Sequence, residues 1–436
     1  MTYQQTLDRL YNLQRFGIKL RLANIRRVLK LFGDPQKTLR IIHVGGTNGK
    51  GSVGAMISAI LQEAGFRIGL YTSPHMVDFA ERIRINNDFI SEDEVIDLIE
   101  KIEAITHELT FFEVVTTMAL AYFAQNLVDF AVLEVGMGGR LDATNVTDPI
   151  ISVITNVDLE HTQYLGNNLA MIAREKAGII KRKGVVVTSE AKAQILKILA
   201  ETCQRRKARL FRVGKDIKFR IQKSEFGSQN SAFRILHSVF SVQGIYGQYE
   251  NLRIPLLGKH QIVNAAASIG AVELLRPDFV ISEDNIREGL AKTSWPGRLE
   301  VINRSPIVLD GAHNVTAARS LREALQDCFD YRRLIFVLGI LEDKDIEGMV
   351  AELAPLASRI IVVRPCTSRA AQPSRLAREV KKYLPEVVIR ESVPDALRYA
   401  KDYADPDDLI CVTGSLYTVG EARKVLANHI SLIANG

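Results

Sequence analysis

The spacing of apolar residues along this chain changes period again and again. Short runs rich in apolar and β-branched residues, Arg40–Val44, Ile68–Tyr71, Phe130–Val135, Ile150–Asn156 and Val185–Thr188, alternate with longer stretches such as Ser91–Ile105 and Val114–Gln125, where apolar residues return every three or four positions. Continuous apolar runs of this length are buried strands, and the 3.6-residue period is a helix with one buried face. Ser91 with Glu94 three residues on forms a capping box that starts the first of these helices. Strands alternating with helices predict an α/β fold built on a doubly wound sheet, with its ligand at the carboxyl ends of the strands.

The pattern breaks at about 205–258, where short alternating runs and Gly, Ser, Gln and Asn predict a small antiparallel β insert. Helical spacing returns at Ile262–Leu275. Trp295-Pro296-Gly297 then reads as an interdomain hinge. Beyond it the alternation restarts: strand Ile307–Asp310, helix Ala317–Cys328, strand Leu334–Leu338, helix Ile346–Ala354, strand Ile360–Val363, helix Pro373–Tyr383, strand Leu409–Thr413. Two domains are expected, 1–296 with the insert and 297–436, the second a Rossmann-like α/β layer.

Composition narrows the class rather than the chemistry. With 436 residues, 47% of them hydrophobic and 24% charged, the chain is an ordinary globular one, and its length favours two domains. The net charge of +6 comes with short basic clusters and no interleaved aromatics, so no nucleic-acid partner is expected. It suits anionic substrates by steering. Four isolated cysteines, 203, 328, 366 and 411, form no C-x-x-C pair and signal neither zinc nor a disulfide framework. No run approaches the roughly 18 apolar residues of a membrane span. The polar Met-Thr-Tyr-Gln-Gln start lacks a signal-peptide core, and a reducing cytoplasm is the expected location.

The most informative stretch is Gly46-Thr47-Asn48-Gly49-Lys50-Gly51-Ser52, between the apolar run Arg40–Val44 and an apolar helix. Strand, glycine-rich turn, helix is the order a phosphate loop needs. Glycines let backbone N–H groups close on phosphate oxygens, and the helix N-terminus adds positive dipole. Lys50 would reach the β- and γ-phosphates and Ser52 the bound Mg²⁺. The pattern G-x-x-x-x-G-K-[ST] is not met, because Val44 and Gly51 stand where Gly and a hydroxyl would be required. Glu134 ends a strand near this loop, where a Mg²⁺ ligand belongs, although a surface carboxylate would look the same. Thr155–His161 follows the next strand and adds a histidine that is either structural or a ligand. Tyr71-Thr72-Ser73-Pro74-His75 reads as a Ser-Pro turn. Lys176, at a helix end before Gly178, reads as a surface lysine on pattern alone.

Gly-Thr-Asn-Gly-Lys-Gly-Ser resembles the ATP loop of the Mur ligase superfamily, and within it the folylpolyglutamate synthase/dihydrofolate synthase family. Thr72–His75, Leu133–Asn145, Asp158–Gly166, Arg174–Lys181, Gly258–Ala267, Asp310–Asn314 and Thr413–Glu421 resemble successive family motifs in the family's order. Gly17–Leu22 resembles an early G-x-K-L-G-L stretch, with Arg21 where glycine is usual.

The resemblance implies roles. Ser73, Glu134 and His161 match Mg²⁺ ligands, and Lys176 matches a lysine carried as a carbamate. Asn264, Arg298 and Asp310 match ATP contacts. Thr110, Phe111, Phe112 and Glu113, with Leu141, Asp142 and Ala143, fall where pterin-bearing substrates sit in bifunctional relatives, although Phe111 and Phe112 read equally as core residues. His313 and Ser415 match the glutamate side. The implied catalytic set is Lys50, His161, Lys176 and Arg298, in a P-loop ATPase-like first domain and the hinge. The implied reaction is ATP-dependent joining of L-glutamate to a folate or dihydropteroate carboxylate through an acyl phosphate, by a monomer whose hinge closes ATP and glutamate sides together. A regulatory GTPase would need N-K-x-D, and Asn156-Val157-Asp158 lacks the lysine. A Mur-type ligase acting on a UDP-muramyl peptide shares the loop, and the Glu134–Asn145 run favours folate over it. A catalytically silent scaffold would not need to keep every polar motif position.

Overall fold

Eight strands make the first sheet: β1 (Ile41–Gly45), β2 (Ile68–Tyr71), β3 (Ile83–Ile85), β4 (Asp88–Phe89), β5 (Phe130–Glu134), β6 (Ile151–Ile154), β7 (Val185–Thr188) and β8 (Arg209–Arg212). Their order in the computed structural model is β4-β3-β2-β5-β1-β6-β7-β8. From β2 to β8 every pair is parallel, and β3 and β4 extend the edge antiparallel. The residues described are 1–17, 21–222, 237–302 and 306–434. The centre of the Gly17–Leu22 motif and 223–236 of the expected insert lie outside them.

All residues of β1 and β5 are buried, as expected of central parallel strands covered on both faces. β1 lies between β5 and β6. The chain leaves β1 toward β2 on one side and reaches β6 on the other, so a crevice opens at the carboxyl end of β1. Register sets Val44 beside Glu134 and Gly45 beside Ile154, which brings three strand ends together at the glycine turn. Helix Lys50–Glu63 follows that turn and packs on β2 and β5, buried along most of its length.

The expected insert divides. Arg209–Arg212 follows helix Ala193–Arg206, which acts as a crossover, and therefore joins the first sheet as β8, parallel to β7. Only β9 (Lys218–Ile221), β10 (Ser238–Gln243) and β11 (Gln248–Ile254) form a separate sheet, ordered β11-β10-β9, with β9 and β10 antiparallel. The turn after β10 is anchored by buried Glu273, which accepts from the N–H groups of Ile245, Tyr246 and Gly247 and from the Tyr249 hydroxyl.

The third sheet holds β12 (Glu300–Val301), β13 (Ile307–Leu309), β14 (Leu334–Leu338), β15 (Arg359–Val362), β16 (Val387–Ile389) and β17 (Leu409–Thr413), ordered β12-β13-β17-β14-β15-β16 and parallel except for β12. Its core includes Val308, Leu321, Phe336, Met349, Leu376 and Cys411. The chain thus gathers into two compact units. The first draws on Met1–Gln222, Phe240–Arg253 and Ile262–Thr293, and the second chiefly on Ile254–Gln261 and the chain from Ser294 onward. Cys203, Cys328, Cys366 and Cys411 are free thiols. No helix among the described residues is long and apolar enough to cross a membrane.

Candidate active site

The glycine turn is fixed by the segment that follows β6. Thr47 N–H donates to Asn156 O (2.8 Å) and Asn48 N–H to Asn156 Oδ1 (2.8 Å). Thr155 Oγ1 donates to Asn48 O (2.7 Å), and Asp158 N–H donates to Thr47 Oγ1 (3.0 Å). Gly49 has φ +86°, and a Cβ there would lie 2.6 Å from Asn264 Oδ1, so only glycine fits between the turn and that side chain. Val53 N–H is the first to bond back along helix Lys50–Glu63, to Gly49 O at 2.9 Å. The N–H groups of Lys50, Gly51 and Ser52 stand outside that ladder at the positive end of the helix dipole, where an anion is stabilised.

Two lysines meet the same turn. Lys50 Nζ donates to Thr47 O (2.9 Å) and lies 4.0 Å from Glu134 Oε1. Glu134 is 7% exposed, and its Oε2 accepts the Ser73 N–H (3.1 Å). Lys176 is not a surface residue: it is 2% exposed, and its Nζ donates to Gly46 O at 2.7 Å. Burial, and after it the Lys50 charge, pushes the Lys176 ammonium down to about 7, against an opposing pull from Glu160, Asp158 and Asp142. His161 sits on the segment after β6 in a left-handed conformation (φ 49°), unusual for a residue with a side chain. Its Nε2 is 3.6 Å from Glu160 Oε1.

Lys176 is aimed by a join between two segments far apart in sequence. Arg140 N–H donates to Glu175 O (2.8 Å), and the Arg140 guanidinium pairs with the Glu175 carboxylate (2.8 Å). Asn145 Nδ2 donates to Arg140 O (2.9 Å) and Gly178 O (3.3 Å), and Lys181 Nζ donates to Asn145 O (3.1 Å). A Cβ on Gly178 would overlap the Arg140 backbone. The run Gly136–Asn145 therefore serves as the bed for helix Leu169–Lys176. Thr155, Asn156, Asn145, Arg140 and Gly178 act here as positioning groups that sequence reasoning did not single out. A Thr-Asn pair directly after a buried strand was the available signal for the first two.

Around the positions expected for the acceptor, Thr110 caps helix Phe111–Gln125 in a capping box with Glu113, through Thr110 N–H to Glu113 Oε2 at 2.8 Å. Those two polar groups are thus engaged in a helix start. Phe111 stacks on Tyr11 (centroids 5.9 Å apart), with the Arg82 guanidinium 5.2 Å from its centroid. Arg82 Nε donates to His75 Nδ1 at 2.7 Å. Phe112 lies 6.0 Å from the Tyr71 ring and against Gly136. Leu141 is part-buried and Ala143 buried. Asp142, 4% exposed, accepts from Met137 N–H (2.8 Å), Thr144 N–H (3.0 Å) and Thr144 Oγ1 (2.5 Å).

In the second unit, Asp310 follows β13 and accepts the N–H groups of Leu299 (3.0 Å) and Ala312 (2.9 Å). Burial raises its pKa against the pull of Arg298. Arg298 Nη1 donates to Gly297 O (3.2 Å). His313 Nδ1 lies 2.9 Å from Gly311 O, directly before helix Val315–Cys328. Ser415 is 1% exposed, and its hydroxyl accepts Thr418 N–H (3.1 Å), capping the start of helix Leu416–Ala434.

Among the described residues no three His, Cys, Asp or Glu side chains cluster as a metal cage. Mg²⁺ seldom needs one: it is held by one or two carboxylates, waters and substrate phosphates. The chemistry of the donors fits that need: a buried Glu134 carboxylate ends β5 and accepts from Ser73 on the adjoining β2 end, and the segment after β6 carries the His161 ring.

The chain is similar to known proteins along most of its length. Residues 44–272 match the Mur ligase middle domain and 297–416 the Mur ligase glutamate ligase domain. Over 97% of the chain, it is 34% identical to the dihydrofolate synthase/folylpolyglutamate synthase of Bacillus subtilis, covering 99% of that protein. It is 38% identical to a probable bifunctional folylpolyglutamate synthase/dihydropteroate synthase of Haloferax volcanii, of whose length it spans 50%. Mycobacterium tuberculosis folylpolyglutamate synthase complexed with ADP superposes with a TM-score of 0.87 at 34% identity, covering 97% of this chain and 98% of that one. Escherichia coli FolC with DHPP and ADP gives 0.87 at 30% identity over 98% of each chain. Matched along its length by enzymes of this kind and folded as they are, the chain belongs to the folylpolyglutamate synthase/dihydrofolate synthase family of Mur ligases and is an ATP-dependent, amide-forming ligase that joins glutamate to folates.

Proposed function

We propose that both dihydropteroate and tetrahydrofolate serve as acceptors, with ATP held at Gly46–Ser52 and Asn264. The observation that carries the ATP site is the convergence of Lys50, Lys176 and Glu134 on one glycine turn at the end of β1, and the acceptors are inferred from the likeness to dihydrofolate synthase/folylpolyglutamate synthases. The acceptor's carboxylate attacks the γ-phosphorus, the bond to the β-phosphate oxygen breaks, and ADP leaves. The resulting acyl phosphate is attacked by the glutamate amine. The carbon–nitrogen bond forms, the phosphate departs, and the amine proton goes to solvent or to a basic side chain. ATP is needed because a carboxylate is a poor acyl donor and an acyl phosphate a good one.

The protein's contribution is positioning and charge neutralisation. Lys50 meets the β- and γ-phosphates, and the helix start at Lys50–Ser52 holds their oxygens. Mg²⁺, when bound, neutralises phosphate charge, and Ser73, Glu134 and His161 would hold it. Lys176 we assign as the site of a carbamate: an amine with a substantial neutral fraction near pH 7 can take up CO₂, releasing a proton, and the anion so formed would suit a site that holds a phosphate-bound cation. Arg298 and Asp310 on the second unit are assigned to ATP, and His313 and Ser415 to glutamate, on their match to the family motifs. Thr110–Glu113 and Leu141–Ala143 are assigned to the acceptor. Four free thiols suit a reducing cytoplasm, and a monomer suffices for the chemistry.

ADP release in the presence of glutamate tests the substrate, with dihydropteroate, tetrahydrofolate or a UDP-muramyl peptide added in turn. Turnover with both pteridine acceptors is expected. Turnover with the muramyl peptide alone would replace this reading with the other Mur-type ligase.

A further inference from the structure

Behind Asp142 lies a buried relay that the reaction as described does not use. His43, in the middle of β1 and fully buried, has its Nε2 2.7 Å from Thr144 Oγ1. Thr144 Oγ1 in turn lies 2.5 Å from Asp142 Oδ1. The other ring nitrogen, His43 Nδ1, is buried with no hydrogen-bond partner.

A hydroxyl has one hydrogen to give, and the count leaves two arrangements of the three groups. If Thr144 donates to Asp142, then His43 Nε2 carries the hydrogen and donates to Thr144. Nδ1 is then a bare lone pair. If Asp142 were protonated on Oδ1 and donated to Thr144, the Thr144 hydrogen would turn to Nε2, and the ring hydrogen would be forced onto Nδ1 as an orphaned buried N–H. Orphaned N–H groups are the rarer defect in folded proteins. The first arrangement also lets Thr144 N–H and Met137 N–H donate to a carboxylate, the stronger charge-assisted form.

We propose that Thr144 and His43 are positioning residues that hold Asp142 as an acceptor-only carboxylate, so that Asp142 reads N–H donors on the head of the acceptor molecule. This rests on the proposed function, which assigns Asp142 to the acceptor. What it adds is the pair of groups behind Asp142 that fixes the protonation and orientation of that carboxylate. Burial alone would favour a protonated Asp142. The relay opposes it, since His43 stays neutral through burial and the facing charge of Lys181. Tyr71 on β2 and Lys176 are the other titratable groups facing Asp142.

The test compares Thr144→Val, Thr144→Ser and Asp142→Asn with the parent, by dihydropteroate binding and steady-state kinetics across pH. Thr144→Val removes one charge-assisted bond and is expected to raise acceptor KM about tenfold while leaving ATP KM unchanged. It should also move the acid limb of acceptor affinity to higher pH, since the carboxylate loses a donor, and Thr144→Ser should restore both. If Asp142→Asn alters acceptor KM and Thr144→Val does not, this inference falls and the function stands. If the parent binds no dihydropteroate, both fall. The unsubstituted protein offers an independent measurement: its histidine nitrogen NMR should show His43 neutral, with its hydrogen on Nε2, between about pH 5 and pH 8. Hydrogen on Nδ1, or a charged ring in that range, would overturn the relay.

Discussion

Replacing Lys176 by methionine should stabilise the first unit at pH 6 and abolish ligation at the same time. Lys176 is almost wholly buried, and burial takes its ammonium from an ordinary 10.5 down to about 7. The sign follows from proton binding. Between pH 7 and 10.5 the unfolded chain holds a proton on this amine that the folded chain does not, so folding becomes more favourable as pH rises. Below pH 7 the full cost is present. At about 1.4 kcal/mol per pH unit that cost is roughly 5 kcal/mol at pH 6, falling to about 2 kcal/mol at pH 9. Methionine has a similar volume and no charge. It also lacks the bond to Gly46 O, worth about 1–2 kcal/mol when the acceptor is left buried. The net gain is therefore about 3 kcal/mol at pH 6 and near zero at pH 9.

A gain of that size should raise the melting midpoint by about 5 °C or more at pH 6. Thermal melts of the parent and Lys176→Met in CO₂-free buffer, at pH 6 and pH 9, measure it. A variant no more stable than the parent at pH 6, or a difference independent of pH, would refute the argument. The same pKa makes the amine about nine-tenths neutral at pH 8, roughly 300 times the fraction of an ordinary lysine. Parent enzyme stripped of CO₂ should accordingly regain activity on adding bicarbonate at pH 8, whereas Lys176→Met should not.

Lys50→Ala is expected to cut ligation by about 10²–10³ or more with the melt unchanged, because it removes the charge contact proposed to the transferring phosphoryl group; near-normal turnover would sink the phosphate-loop assignment. Glu134→Gln and His161→Ala should each shift the Mg²⁺ dependence of the rate to higher concentration, with partial rescue there, and titrations that overlay the parent's would remove both from the metal site. In the second unit Asp408 is buried and held at about 2, chiefly by its hydrogen bonds from Arg333. Its stabilisation is present above its ordinary 3.8 and is lost as pH falls toward 2. Asp408→Asn should therefore lower the melting midpoint at pH 7, and the gap should narrow as pH drops below 4 in pH-dependent melts.

What could be read from the sequence and what could not divide along a physical line. Strands buried on both faces leave unbroken apolar runs, so β1, β5 and β7 stand out from the residues alone. Arg209–Arg212 carries two arginines in four positions, and only the crossover helix before it shows that it is the edge of the first sheet. The glycine turn between β1 and its helix was legible because its glycines and lysine are local to one another. Lys176 was not, because a lysine at a helix end is a surface residue by every local criterion. Its burial depends on Gly178 lying against the Arg140 backbone and on Asn145 bridging Arg140 and Gly178, contacts across more than thirty residues of chain. A family motif records the outcome of such contacts without giving their reason. The Gly136–Asn145 run is a case in point: its length, more than any one side chain, matters, since one end seats Phe112, the middle holds Arg140 to Glu175, and the far end carries the Asp142–Thr144–His43 relay. A substitution at Asn145 should then disturb Lys176 and the acceptor position together, although its side chain is assigned to neither.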